Sequence, residues 1–173
     1  AEAYREDDQA VPLNAYADSK LQGECEIRQC LDHHIILRVS GVYGVHGHNF
    51  VKTMLRLGQS HDSISVINDQ TTCPTPASAI AKTLLEIVDK IHQGENHWGT
   101  YHYCGKEIVT WHEFANKIFD VARQHQTLTL NTVETISTEK YAAPAKRPLH
   151  PILNCDKIEK IFGIKQPSWQ ATL

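Results

Sequence analysis

Apolar residues recur at two periods along this chain, and the alternation between the periods lays out its elements. Ala77, Ile80, Ala81, Leu84, Val88 and Ile91 fall three and four residues apart and predict a helix ending near His92. Thr75-Pro76 ahead of it fits an N-cap followed by proline at the first helical position. Trp111, Phe114, Ala115, Ile118, Phe119 and Ala122 repeat the stripe behind a capping box, Thr110-Trp111-His112-Glu113, and predict a helix over about 111–125. Trp111 and Phe114 read as core. Phe50, Val51, Met54 and Leu55 carry a shorter stripe over 49–57, with Lys52 and Arg56 on its solvated side. Asn14 is a fitting N-cap for a helix over 15–31, and Gly163 a fitting stop for one over 156–162.

Between these helices lie short strand-like runs. His34 to Ser40 is almost continuously apolar and rich in β-branched residues, as a strand buried on both faces requires. Further strands are predicted at 64–67, 100–104 and 133–136. Helices alternating with such strands give an α/β class built on a parallel sheet. Gly41, Gly44 and Gly47 mark a loop at the C-terminal end of the 34–40 strand, where open α/β sheets bind ligands. Pro144, Pro148 and Pro151 set an extended segment that carries Lys146 and Arg147.

Composition narrows the class further. The 173 residues are 41% hydrophobic and 21% charged, ordinary for a globular protein. A net charge of -3 argues against a broad nucleic-acid-binding face. No apolar run approaches the ~18 residues of a membrane span. Five cysteines without a C-x-x-C read as reduced thiols in a cytoplasmic protein. His46-x-His48 suggests a metal, but no third ligand of suitable spacing accompanies it, and no metal is expected.

The chemistry centres on Tyr16-Ala17-Asp18-Ser19-Lys20. Tyr16 and Lys20, four apart, share one face of their helix. An ammonium beside a phenol favours the phenolate, so such a Tyr can protonate a carbonyl oxygen and recover its proton near neutral pH.

Around this pair stand further patterns in a fixed order. They are Pro12-Leu13-Asn14-x-Tyr16-x-x-x-Lys20-x-x-Gly23-Glu24, Leu37-Arg38-x-Ser40-x-Val42-Tyr43-Gly44, Asn49-Phe50-x-Lys52-Thr53-Met54-Leu55 and Val66-x-Asn68-Asp69-Gln70-x-x-x-Pro74-Thr75. Gly99-x-Tyr101-His102, Thr110-Trp111 and Arg147-Pro148 complete the series. The order resembles the C-terminal part of an extended short-chain dehydrogenase/reductase, over nearly the whole chain. The resemblance implies an NAD(P)-dependent oxidoreductase that reduces the C4 ketone of a dTDP-linked 6-deoxy sugar, yielding dTDP-L-rhamnose. It implies that Tyr16 is the general acid, and that Lys20 supports it and binds the nicotinamide ribose. It sets Ser40 near the cofactor, and Val42, Asn49, Phe50, Met54 and Arg147 against the nucleotide sugar, with Arg147 facing the diphosphate. It is compatible with a homodimer. The same fold also serves sugar-nucleotide epimerases and dehydratases and a regulatory subunit of methionine adenosyltransferase, and these stay open as alternatives.

The resemblance also implies a division of the chain. Residues 1–48 would be the end of an incomplete Rossmann-like NAD(P)-binding domain. Residues 49–173 would be mostly a substrate-binding domain, with some segments returning to the sheet. That smaller domain is expected to draw on the helices near 76–92, 111–125 and 156–162. Three positions depart from the family pattern: Gly41 where many members carry Trp, Thr72 where Gly is usual, and Pro151 in place of a Ser. No glycine-rich dinucleotide fingerprint occurs in the sequence. The beginning, Ala1-Glu2-Ala3-Tyr4, reads as the interior of a domain. The expectation is therefore a piece of a longer protein, with NADPH or NADH held mainly by a preceding half.

Overall fold

The computed structural model describes residues 2–173; Ala1, where the reading of the chain's beginning starts, lies outside them. In chain order the first elements are α1 (Ala15–Cys30), β1 (Ile35–Val39), β2 (Val42–Tyr43), α2 (Phe50–Ser60), β3 (Ser63–Ile67), β4 (Thr71–Thr72) and β5 (Thr75–Pro76). They are followed by α3 (Ala77–His92), β6 (Gly99–Tyr103), β7 (Val109–Thr110), α4 (Trp111–Ala122), β8 (Thr132–Ile136), α5 (Thr138–Tyr141) and α6 (Asp156–Phe162). β1 pairs in parallel with β6, β2 with β5, and β3 with β8, while β4 and β7 are antiparallel. The class is α/β with parallel strand pairs, as the alternation of periods requires.

Two cores organise these elements. One gathers Met54 of α2, Val66 of β3, Leu130, and Phe114, Ala115, Ile118 and Phe119 of α4, with Tyr43 and Trp169 beside them. Gly58 lets α2 and α4 approach closely: a Cβ there would stand 2.8 Å from Cε1 of Phe119. The second core joins Tyr101 and Tyr103 of β6, Ile87 of α3, and Ile158 and Phe162 of α6, with Ile35 and Leu37 of β1 packed against it. Helices α3 and α6 thus pack with the β1–β6 pair, as segments returning to the sheet, while α4 packs with α2. Their stripes announced that they bury a face, but stripes carry no address.

Local chemistry explains most element boundaries. The Thr110 hydroxyl accepts from the Glu113 N–H at 3.1 Å, and the Glu113 carboxylate accepts from the Thr110 N–H at 2.7 Å, completing the capping box. Gly163 closes α6 at φ 68°. Thr75 differs from its expected role: α3 has no side-chain cap, and Thr75-Pro76 is instead a strand beside β2. The Thr75 hydroxyl lies against the carbonyls of Ser40 and Cys73, at 2.5 and 2.9 Å, so it ties two loops and is not available for a cap. Gly41 turns the chain at φ 56°, where a Cβ would meet Thr72 Oγ1 at 2.6 Å and Cys73 O at 2.8 Å. A large side chain has no room in that turn, which accounts for glycine here.

Helix α1 is unlike the other long helices because none of its residues is buried. Polar contacts hold it. Glu24 accepts from Arg38 of β1 through Nε at 2.8 Å and Nη2 at 2.6 Å, and from Arg28 one turn along at 2.6 Å. Partial burial pushes the Glu24 carboxyl up, but the hydrogen bonds and charges of the two arginines outweigh it and hold the group below the usual carboxylate value. The segment before α1 is fixed as well, since the Tyr4 N–H donates to Ile152 O and the Asn154 N–H to Tyr4 O, both at 2.8 Å.

Candidate functional site

Tyr16 occupies the first turn of α1 and is 73% exposed. The turn starts at Asn14, whose side-chain oxygen accepts from the Ala17 N–H at 2.9 Å. The other end of the same amide donates to the Lys146 carbonyl at 2.8 Å. One side chain thus fixes both the start of the Tyr16 helix and the segment carrying Arg147. Lys20, one turn on, lies on the same side as Tyr16, with Nζ 5.5 Å from the ring centroid.

The Tyr16 ring stands between two cavities. A cavity of about 250 Å³ is lined by Tyr16, Lys20, Leu21, Glu24 and Arg38, with Val11 and Pro12 at its rim. A second, of about 560 Å³, is lined by Tyr16, Asn14, Gln70, Trp111, Arg147 and Pro151 among others. The second is of the size that holds small-molecule ligands. Lys20 and Arg147 make none of the ion pairs seen among the described residues, which leaves both cations free for a ligand. A phenol, an ammonium beside it and an unpaired guanidinium can protonate an oxygen, bond hydroxyls and grip a phosphate. The exposed Lys20 ammonium has donors to give to hydroxyls on that side of Tyr16. Among the described residues, no three His, Cys, Asp or Glu side chains form a group that could hold a metal.

Other residues that the resemblance assigns to the site have different placements. Ser40 follows β1, and its hydroxyl donates to the Pro151 carbonyl at 3.4 Å, behind the second cavity's wall. Val42 is half-exposed in β2 opposite Thr75, and it lines neither cavity. Asn49 is the N-cap of α2: its Oδ1 accepts from the Lys52 N–H at 3.2 Å and its Nδ2 donates to Gly44 O at 2.7 Å. Phe50 stacks on Phe114 at 5.6 Å and tilts against Trp111 at 4.6 Å, so it supports the cavity wall from behind. Met54 is buried among Val66, Phe119 and their neighbours. The structure brings Tyr16, Lys20 and Arg147 together around the two cavities and engages Asn49 and Met54 in caps and core.

Sequence reasoning passed over Trp111, Gln70 and Asn14 as cavity residues. Trp111 packs against the core as expected, and being half-buried it also lines the cavity. Its place at the first turn of α4, ahead of the fully buried stripe, was the available signal. Gln70 is 3% exposed, and its amide donates to the Thr138 hydroxyl at 3.0 Å. An amide next to Asp69 in a strand-ending motif was the signal there.

The family described as RmlD substrate binding domain matches residues 1–173. The dTDP-4-dehydrorhamnose reductase of Aggregatibacter actinomycetemcomitans is 41% identical over 172 residues, covering 98% of this chain and 58% of the relative. Among solved structures, a dTDP-4-dehydrorhamnose reductase of Clostridium acetobutylicum superposes with a TM-score of 0.89 at 32% identity, over 99% of this chain and 57% of that one. The dTDP-4-dehydrorhamnose reductase of Bacillus anthracis in complex with NADP gives 0.86 at 34% identity, over 98% and 57%. The chain therefore spans somewhat more than half the length of the relatives it matches.

Proposed function

We propose, from the premise that the chain belongs to the RmlD substrate binding domain family, that the whole protein carrying it reduces the C4 ketone of dTDP-4-dehydro-L-rhamnose to give dTDP-L-rhamnose. The observation that carries this reading is the position of Tyr16 between a cavity that holds Lys20 and a cavity that holds Arg147. A nicotinamide cofactor, NADPH or NADH, supplies the hydride when bound. Lys20 bonds its ribose, and the rest of the dinucleotide is gripped by residues outside these 173, which contain no glycine-rich fingerprint.

The chain's own groups divide the remaining work. Tyr16 donates its phenolic proton to the ketone oxygen, so charge does not accumulate there as the carbonyl becomes an alcohol. The Lys20 ammonium steadies the phenolate that remains until a proton returns from solvent. Arg147 pairs its planar fork with the diphosphate and so fixes the sugar's distance from Tyr16. Asn14 holds that distance from the protein side, through the Ala17 N–H and the Lys146 carbonyl. The reading places the whole protein in the cytoplasm with a nucleotide sugar as its partner, and the five free cysteines support that location.

The test is direct. Whole protein mixed with NADPH and dTDP-4-dehydro-L-rhamnose should consume NADPH stoichiometrically with the keto sugar and release dTDP-L-rhamnose. Failure to oxidise NADPH, or oxidation only with a keto sugar on another nucleotide, contradicts the proposal.

A further inference from the structure

Trp111 packs against the α2–α4 core and also lines the cavity that holds Tyr16 and Arg147. The stripe that α4 buries runs through Phe114, Ala115, Ile118, Phe119 and Ala122, and Trp111 stands at its open end, half-buried. The indole is braced by the Phe50 ring, 4.6 Å away between centroids and tilted by 54°. Its backbone is pinned too, with the N–H donating to the Gln70 carbonyl at 3.3 Å. The Trp111 side chain also forms part of the wall of the cavity that holds Tyr16 and Arg147. An aromatic braced on one side and open on another is a rigid surface that loses little conformational freedom when a ligand lands on it.

Three kinds of side chain meet in that cavity, and each suits a different part of a nucleotide sugar. The guanidinium of Arg147 matches the diphosphate, and the phenol of Tyr16 matches the ketone. An indole face offers no strong acceptor and no charge to either of these groups. What it does offer is a flat π surface, and the flat π-bearing part of a nucleotide sugar is its base. We infer that Trp111 is the stacking platform for the nucleobase, which makes it a specificity-determining residue of the site. The inference rests on the reading of this cavity as the nucleotide-sugar site.

Calorimetric titration of the whole protein with dTDP, and separately with inorganic pyrophosphate, tests it on wild type, Trp111→Ala, Trp111→Phe and Arg147→Ala. Trp111→Ala should weaken dTDP roughly tenfold or more, the scale of a lost base–aromatic stack. Trp111→Phe should stay within about threefold of wild type because the π face is kept. Pyrophosphate should be indifferent to both, and Arg147→Ala should weaken both ligands. Fluorescence gives a second readout: dTDP should quench wild-type tryptophan emission, and the quench should vanish in Trp111→Phe while calorimetric binding persists. If Trp111→Ala fails to fold, this Phe comparison still decides. Unchanged dTDP affinity in Trp111→Ala, or an undiminished quench in Trp111→Phe, with Arg147→Ala still weakening dTDP, overturns the platform and leaves the cavity reading standing. No dTDP binding at all, or binding indifferent to Arg147→Ala, overturns the cavity reading and the platform with it.

Discussion

Asn14 spends both ends of one amide on two different segments, and its isosteres separate the two jobs. Asn14→Asp keeps the oxygen that caps α1 and adds a charge that suits a helix N-terminus, but it loses the N–H that holds the Lys146 carbonyl. In the whole protein it should leave helix content and melting temperature near wild type and raise KM for the nucleotide sugar several-fold. Asn14→Ala loses both contacts, and should in addition cost about 1 kcal/mol of stability by denaturant titration. Equal KM values for Asp and wild type would separate Arg147's placement from Asn14. At this scale the sharing of one helix face by Tyr16 and Lys20 was legible from their spacing, whereas Arg147 entered only through the resemblance. Met54 and Asn49 were not legible, because the same apolar or amide group serves a pocket, a core or a cap equally well. Only the third dimension shows that Asn49 is consumed at the start of α2 and Met54 beneath it.

Among the elements, α1 depends on charge and α2 on close packing. Glu24 has a depressed pKa in the fold, so its contribution is present in full above the unfolded carboxylate value, about 4.3, and is lost as pH falls through the lower folded value. Amide exchange along α1, corrected for intrinsic rate, should therefore accelerate below about pH 4 in wild type and be fast throughout in Glu24→Gln. A pH-independent α1 in wild type would mean that other contacts hold the helix. Gly58→Ala sets two effects against each other. Helix propensity favours Ala by about 1 kcal/mol, while a methyl 2.8 Å from the fully buried Phe119 ring overpacks the core at about 1–3 kcal/mol. The net should be a lower unfolding midpoint; a higher one would show that the ring yields freely. Long helices were readable from stripe and cap. The four-residue α5 was not, since its first turn is held from a distance by Asp69, which accepts from the Thr138 N–H at 2.9 Å and from its hydroxyl at 2.6 Å. Thr75-Pro76 was misread for a related reason: a capping hydroxyl was bid for by the carbonyls of Ser40 and Cys73.

For the molecule as a whole, the two cores and the cavities beside Tyr16 form one arrangement. The α2–α4 unit presents Trp111, the β1–β6 unit anchors α1 through Arg38, and the segment around Arg147 bridges to α1 at Asn14. Sequence period gave the class, but not which helix joins which strand pair, because β1 and α6 reach β6 across long stretches of chain. Such pairings depend on the joint packing of many side chains, and no local signal records them. In the proposed reaction every step passes through the Tyr16 hydroxyl. The most direct measurement is the kcat of whole-protein Tyr16→Phe with NADPH and dTDP-4-dehydro-L-rhamnose. The account predicts a fall of roughly 10²- to 10⁴-fold, the usual worth of a positioned general acid, with KM changed little. A variant that turns over at the wild-type rate would contradict it.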